Sequence, residues 1–313
     1  MIEELIVSGR MNPEIDPHLH AWPWYVPTDL FLAALVAGIL IFSAFLTLHG
    51  KENEFPAAVK RAPLFAPFLL GIALLLLFLD LSHKLYFWQL YTNIRWESPM
   101  SWGSWTYLFI TPLSVLWAAI HIQDVFPNLD LKFSWLKESI EWLKTYKKVL
   151  AGIIILLAIT LGMYTGILLS AFNARPLWNS AILGPLFLTS GLTTATAVVL
   201  LLKPNEKEER RFIVLMLIFA GIQIFLLIHM IMGYLAGTQV HIEAARLLLG
   251  GEYTTSFWVF AFGFGLVLPV VLQLLKLNGS KIPVTVPAVL IIVGGLLLRL
   301  IIVEAGQASR WLY

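Results

Sequence analysis

Ionisable and phenolic side chains recur inside the apolar segments of this 313-residue sequence, where burying them is costly. A carboxylate or a histidine there can accept a proton, and a tyrosine hydroxyl can donate a hydrogen bond to a ligand oxygen. Any one of them could equally be structural, but several at one depth indicate a site. The residues that lie at one level of the membrane, early in the first apolar segment or late in the second, fourth, sixth and eighth, are Asp29, Asp80, His83, Tyr164, His229 and Arg299.

One chemistry that fits this set is the oxidation of a quinol. Such a pocket needs an apolar slot, aromatic walls, a few hydrogen-bond donors for the two ring oxygens, and a group that takes up the released protons. In this interpretation Asp80 is the proton acceptor, with His83 beside it. Tyr164 and Asp29 would contact the ring.

Two other chemistries compete with quinol oxidation. In a cytochrome with two b haems, His83 and His229 would pair at one level of the membrane, and His49 and His121 at the other. His49 and His121 lie almost at the ends of their segments, which disfavours this alternative. A transporter ranks last, because the two halves of the sequence show no matched broken helices.

The composition indicates that the bilayer is the solvent. Hydrophobic residues make up 59% of the chain, charged residues 13%, and the mean hydropathy is +0.82, whereas about 25% of the residues in a soluble domain are charged. There is no cysteine, which excludes disulfides and cysteine-ligated zinc or iron–sulfur sites in this chain. Nothing suggests a nucleic-acid partner. The acidic N-terminal segment (1–24) lacks the pattern of a secretory signal.

Apolar runs of about 20 residues predict an all-α membrane protein with eight transmembrane helices. The predicted domains are the N-terminal segment, a first four-helix bundle over 25–172 that holds the site, and a second over 173–313. The predicted spans are Tyr25–Leu48, Arg61–Trp88, Ser104–Ile122, Val149–Phe172, Asn179–Leu202, Phe212–Ala236, Thr254–Leu275 and Pro283–Glu304.

Lysine and arginine predict the orientation. Fourteen of them lie in the loops after spans 1, 3, 5 and 7, and five lie in the opposite loops and termini. By the positive-inside rule both termini then face outward, and so does the polar layer. The location would be the inner (cell) membrane of a bacterium or archaeon. The amphipathic segment near 133–148 predicts an interfacial helix on the cytoplasmic leaflet.

The polar stretch SPMSWGSW (Ser98–Trp105) interrupts the apolar sequence just before span 3. Ser101 or Ser104 suits an N-cap, and the tryptophans suit an interfacial aromatic belt. Because this end faces the polar layer, we assign Ser101, Trp102 and also Trp24 to the rim of the predicted pocket.

Several stretches, taken together and in order, resemble the NrfD/PsrC family, the integral membrane subunits of polysulfide-reductase-like complexes. Each alone is a weak signal, but they are spread over nearly the whole chain. They are LDLSHKLYFW (Leu79–Trp88), SPMSWGSW (Ser98–Trp105), YTGILLSAFNARPLWN (Tyr164–Asn179), LLLGGEYTTSFW (Leu247–Trp258) and GGLLLRLIIVEAGQ (Gly294–Gln307).

The resemblance implies a haem-free protein of two four-helix bundles that exchanges electrons between menaquinone or ubiquinone and a ferredoxin-like iron–sulfur subunit. That partner passes electrons to a molybdopterin catalytic subunit in anaerobic respiration, on the outer face in the polysulfide-reductase type, and the complexes could pair as dimers. The protein would thus be one subunit of an enzyme.

The resemblance also implies roles for single residues. Tyr164 matches the tyrosine that hydrogen-bonds the quinone, and Asp80 matches an acidic residue at the end of span 2. Asp29 stands where a related reductase has a histidine, and Ser82-His83-Lys84 stands where the family often has Gly-Arg-Pro. Arg299 could balance the charge of Asp80 or hold the outer ends of the helices together, and we favour the structural role.

Overall fold

The computed structural model describes residues 22–128 and 134–309, and every regular element within these ranges is helical. Residues 1–21 of the predicted N-terminal segment (1–24) therefore lie outside the described residues. The all-helical prediction is confirmed for the part of the chain that is described.

Eight helices are long and apolar enough to cross a membrane, which confirms the predicted number of spans. They are α1 (Tyr25–Leu48), α2 (Ala57–Asp80), α4 (Pro99–Val125), α6 (Lys147–Ser170), α7 (Leu183–Leu201), α8 (Glu206–Leu235), α10 (Ser256–Leu277) and α11 (Thr285–Ala308). Three shorter helices are α3 (Gln89–Thr92), α5 (Ser134–Thr145) and α9 (Gln239–Arg246).

The second span is shorter than predicted. Helix α2 ends at Asp80 instead of Trp88, because Leu81 has an extended backbone (φ −64°, ψ 125°). A 3₁₀ turn at Lys84–Tyr86 and α3 follow. The chain after Asp80 therefore leaves the helix axis and folds across the end of the helices.

The start of α4 also differs from the prediction. The helix begins at Pro99, with Ser98 as N-cap residue, so the predicted N-cap at Ser101 or Ser104 is wrong. Proline is favoured at a first helical position because its missing N–H needs no partner there. Ser101 Oγ instead accepts from the backbone N–H of Arg95 at 3.2 Å, and Ser104 Oγ donates to the carbonyl of Leu90 at 3.1 Å. Both serines tie the preceding segment to α4.

Helices α1 and α7 are the central helices. Helix α1 packs against α2, α6, α7 and α11, and α7 packs against α1, α6, α8 and α11. Helix α4 closes one side against α2 and α6, and α10 closes the other against α8 and α11. Seven of the 17 buried residues of α1 are Gly, Ala, Ser or Thr, as expected where helix association relies on close packing within an apolar solvent.

Arg299 is fully buried where α1, α7 and α11 meet. Its guanidinium donates to the carbonyls of Leu30 (3.2 Å), Phe187 (3.0 Å) and Gly295 (2.9 Å), and to Ser190 Oγ (3.0 Å). Within the described residues its partners include no carboxylate, so Arg299 does not pair with Asp80. Its contacts are those of a structural tie between helices.

Other anchors hold the ends of the helices. At the start of α2, the backbone N–H groups of Ala57 and Ala58 donate to the buried Glu208 carboxylate at 3.2 and 2.8 Å. These donors have no partner within their own helix. In the short helix α5, Ile140 is buried while Trp142 is exposed. That two-sided character suits the predicted interfacial helix, whose position at a membrane surface stays a prediction.

The close contact between α1 and α7 generates a stability prediction. A Cβ on Gly191 would lie 2.2 Å from the Ala34 carbonyl oxygen, which is backbone and cannot rotate away. Gly191→Ala should therefore lower the stability by about 1–3 kcal/mol, measured as thermal unfolding in detergent.

Gly221→Ala in α8 is the matched control, since nothing lies within 4 Å of its added Cβ. Alanine has the higher helix propensity, so the control should be neutral or slightly stabilising. Equal melting temperatures for the two variants would contradict the proposed close packing.

Candidate functional site

A cavity of about 470 Å³ lies between α1, α2, α4 and α6, at the end of these helices where α1 begins. Nine of its 19 lining residues are leucine or phenylalanine, and the segment after α2 closes it with Leu81, Phe87 and Leu90. The polar side chains that line it are Asp29, Asp80, Tyr91, Ser104, Tyr107 and Tyr164. The structure thus brings Asp29, Asp80 and Tyr164 together, although they are far apart in the sequence.

Asp29 lies in the first turns of α1 and is only 2% exposed. The hydroxyl of Tyr107, itself buried in α4, donates to Asp29 Oδ1 at 2.8 Å. A buried carboxyl group needs such a donor, since it is otherwise costly to remove from water. The pair gives the cavity a fixed polar point on its α1–α4 side.

Tyr164 comes from α6 and is nearly buried beside the start of α4. Its hydroxyl contacts Met100 Sδ at 3.9 Å. A Cβ on Gly103 would lie only 1.9 Å from the Tyr164 ring. The glycine in SPMSWGSW is therefore the position that admits the Tyr164 ring, and a larger residue would displace it.

Asp80 is the last residue of α2 and is partly exposed. The nearby Lys84 ammonium donates to the Leu81 carbonyl at 3.0 Å. Tyr91, from α3, lines the same cavity, and burial raises the pKa of its phenol. Its hydroxyl therefore stays protonated at neutral pH, and it can act as a hydrogen-bond donor.

Trp22 lines the cavity at the entry of α1. The Gln307 side chain holds its backbone from both sides, accepting from the Trp22 N–H at 2.8 Å and donating to its carbonyl at 3.0 Å. The Trp22 ring stacks on Trp178 with a centroid distance of 5.1 Å. Arg175 donates to the Gln307 carbonyl at 2.6 Å. The second half of the chain thus positions one wall of the cavity.

A more polar cavity of about 460 Å³ adjoins the first. The two share five lining residues: Leu81, Phe87, Leu90, Met100 and Ser104. Ser82, His83 and Asn93 also line the polar cavity. His83 is exposed, so it lies beside the apolar cavity on the side open to water.

Other residues assigned from the sequence lie elsewhere. Trp24 was assigned to the rim of the pocket, but its side chain is 61% exposed and does not line the cavity. Trp22 lines the cavity instead. Trp102 lies on the opposite side of α4 from the apolar cavity, in a separate groove. Ser101 lines that groove and the polar cavity.

Three of the histidines considered for haem ligation make contacts within their own helices. His49 and His229 are exposed, and each ring contacts a carbonyl of its own helix, that of Phe45 (2.8 Å) and that of Phe225 (2.9 Å). His121 is buried, with Nδ1 at 3.6 Å from the Asp124 carboxylate. Among the described residues, no three His, Cys, Asp or Glu side chains are grouped so as to hold a metal ion.

Tyr107, Tyr91 and Trp22 were missed from the sequence. Tyr107 lies three residues after Ser104, at the depth of the predicted polar layer, and that depth was the available signal. Trp22 falls before the first span and Tyr91 after the second, so neither could be placed from periodicity alone.

The arrangement suits a flat ring with oxygens at its edge. Apolar walls can accept the ring, the hydroxyls of Tyr164 and Tyr91 can donate to its oxygens, and the partly exposed Asp80 carboxylate can take a proton. The fold defines a multi-pass membrane protein with a cavity at one end of its helices.

Comparison with known proteins places the sequence within that class. Residues 12–309 match the family described as "Polysulphide reductase, NrfD". The C polypeptide of polysulfide reductase from Wolinella succinogenes is 32% identical, over 91% of this chain and 94% of the relative. Protein NrfD of Escherichia coli is 30% identical, over 92% and 95%. The C polypeptide of selenate reductase from Mesobacillus selenatarsenatis is 23% identical, over 90% and 73%. The protein belongs to the NrfD polysulphide reductase family.

The Asp29–Tyr107 pair generates a second stability prediction. Tyr107→Phe removes the hydroxyl that donates to Asp29 and leaves a buried carboxyl oxygen without its partner. We expect a loss of about 1–3 kcal/mol, measured by thermal unfolding in detergent. The control is Tyr25→Phe, because Tyr25 makes no side-chain hydrogen bond in the described structure. A Tyr107→Phe melting temperature equal to the control's would show that the bond contributes nothing.

Proposed function

We propose that this protein is the quinone-reactive membrane subunit of a respiratory oxidoreductase. It would oxidise menaquinol or ubiquinol in the apolar cavity and pass the electrons to an iron–sulfur subunit, which delivers them to a molybdopterin catalytic subunit. The observation that carries the proposal is the cavity itself, since it gathers Asp29, Asp80 and Tyr164 within apolar walls. The relatives named as components of polysulfide and selenate reductases support a role within a larger complex.

Each polar group has a proposed part in the reaction. Tyr164 would orient the ring by donating a hydrogen bond to one of its oxygens. The Tyr107 oxygen, whose proton is held by Asp29, would accept a hydrogen bond from a quinol hydroxyl. Oxidation of a quinol releases two electrons and two protons, so a proton acceptor must lie at the ring. Asp80 would take the two protons one after the other at its carboxylate and release each to the adjoining polar cavity, where His83 lies.

The proposal extends to arrangement and partners. Lysine and arginine favour the outer side for the cavity end, so the iron–sulfur partner would dock there, in the inner membrane of a bacterium or archaeon. The contacts of α1, α2, α4 and α6, and of α7, α8, α10 and α11, support two four-helix bundles. We also propose that the protein holds no haem, as its membership of the NrfD family suggests.

Tyr164→Phe tests the assignment of the ring contact. Losing one hydrogen bond formed in the reaction should lower quinol oxidation by the purified complex roughly ten-fold, without dissociating its subunits. Tyr146→Phe, an exposed tyrosine between α5 and α6, is the control. Turnover at the control's level would remove Tyr164 from the site.

Asp80→Asn tests the proton acceptor. Asparagine keeps the shape of the side chain but cannot accept the proton, so quinol oxidation should fall by at least about 100-fold. Glu97→Gln is the control, since Glu97 is an exposed carboxylate of the following loop and does not line the cavity. Full activity of Asp80→Asn would overturn the assignment.

A further inference from the structure

A third cavity, of about 390 Å³, lies on the other face of α4, in a groove between α4 and α6. Its walls are almost entirely apolar, with three indoles, those of Trp96, Trp102 and Trp105, at one end. Toward the other end it is lined by Phe109 and Leu156. Phe109 is 48% and Leu156 67% exposed, so the groove faces sideways, where lipid surrounds a membrane protein.

This groove is distinct from the proposed quinol cavity. Trp102, Trp105 and Phe109 of α4 face the groove, whereas Ser104 and Tyr107 face the cavity. Helix α4 is thus a wall between the two spaces. The groove needs an occupant of its own.

Two polar groups at the groove have no partner among the described residues. The first is the indole N–H of Trp105, which is buried and donates to no acceptor in that part of the chain. By contrast, the indole N–H groups of Trp102, Trp117, Trp178 and Trp258 all have acceptors. A buried donor left without a partner is rare and calls for a ligand or a water molecule.

Arg95 supplies the second group. It lines the groove at the indole end and also lines the polar cavity, its side chain is exposed, and it forms no side-chain hydrogen bond or ion pair with any described residue. The neighbouring acidic residue, Glu97, does not line the groove. The mouth of an apolar groove therefore carries one positive charge that no described carboxylate compensates.

We propose that this groove binds one anionic phospholipid from the leaflet on the cavity side. The headgroup phosphate would accept hydrogen bonds from Arg95, an ester carbonyl would accept from the Trp105 indole, and an acyl chain would run past Phe109. The spacing suits this order, since Trp102 and Phe109 are seven residues apart on one helix, roughly 10 Å. Arginine is well suited to phosphate, which it can bind through two N–H groups.

The lipid site does not depend on the proposed reaction and can be tested separately. Native mass spectrometry of the purified complex, titrated with phosphatidylglycerol, measures the affinity of the tightest retained lipid. Arg95→Gln and Trp105→Phe should each weaken it roughly ten-fold, because each removes one donor and little volume. Arg95→Lys should retain part of the affinity.

Matched controls are Arg246→Gln, an exposed arginine of α9, and Trp142→Phe, an exposed tryptophan of α5. Both should bind phosphatidylglycerol as the unaltered protein does. Equal affinity of the Arg95 and Trp105 variants and their controls would overturn the site. Equal affinity of the unaltered protein for phosphatidylcholine would overturn its anionic specificity. Melting temperatures without added lipid verify that the variants are folded.

Discussion

The hydrogen bonding of the Arg299 guanidinium is the constraint on which the rest of the structure depends. A charge in an apolar interior is tolerated only when its donors are satisfied. Arg299 achieves this with acceptors from three helices, the carbonyls of Leu30, Phe187 and Gly295 among them. Because Leu30 adjoins Asp29, the bond that satisfies the arginine also fixes the rotation of α1, which presents Asp29 to the cavity. A structural group in one half thereby orients a polar group in the other.

The sequence SPMSWGSW can be explained in the same way, because its residues separate into structural ones and ones that line a space. Its serines bind the preceding segment to α4, its glycine admits the Tyr164 ring, and its tryptophans face the lateral groove. Alternate residues of one short helical stretch therefore shape two separate spaces. Small residues are needed on the cavity side because a tyrosine from α6 must approach the α4 backbone, and large ones on the other because that surface meets lipid.

The sequence was sufficient for the number of spans and for three residues of the cavity, but not for the directions in which side chains face. In a water-soluble helix an apolar stripe marks the buried face. Here the lipid-facing surface is as apolar as the core, so that marker disappears. Depth could be counted along the chain, which identified Asp29, Asp80 and Tyr164 as neighbours in level. The same count of depth also placed His229 and Arg299 in this layer. His229 faces outward from α8, and Arg299 is buried among α1, α7 and α11.

The largest difference between a predicted and an observed helix boundary is at the end of α2, beside the cavity, and it has a physical reason. The apolar run from Arg61 to Trp88 predicts one continuous span, yet α2 stops at Asp80. Eight further helical residues would have extended about 12 Å along the axis and continued the wall. Instead the chain crosses the end of the helices, and Phe87, Leu90 and Tyr91 become the cover of the cavity. The apolar run therefore lines the cavity with part of its side chains, while Phe87 remains 47% exposed. The early end of α2 also leaves the partly exposed Asp80 carboxylate in the lining of the cavity, directly before Leu81, which lines both this cavity and the polar one.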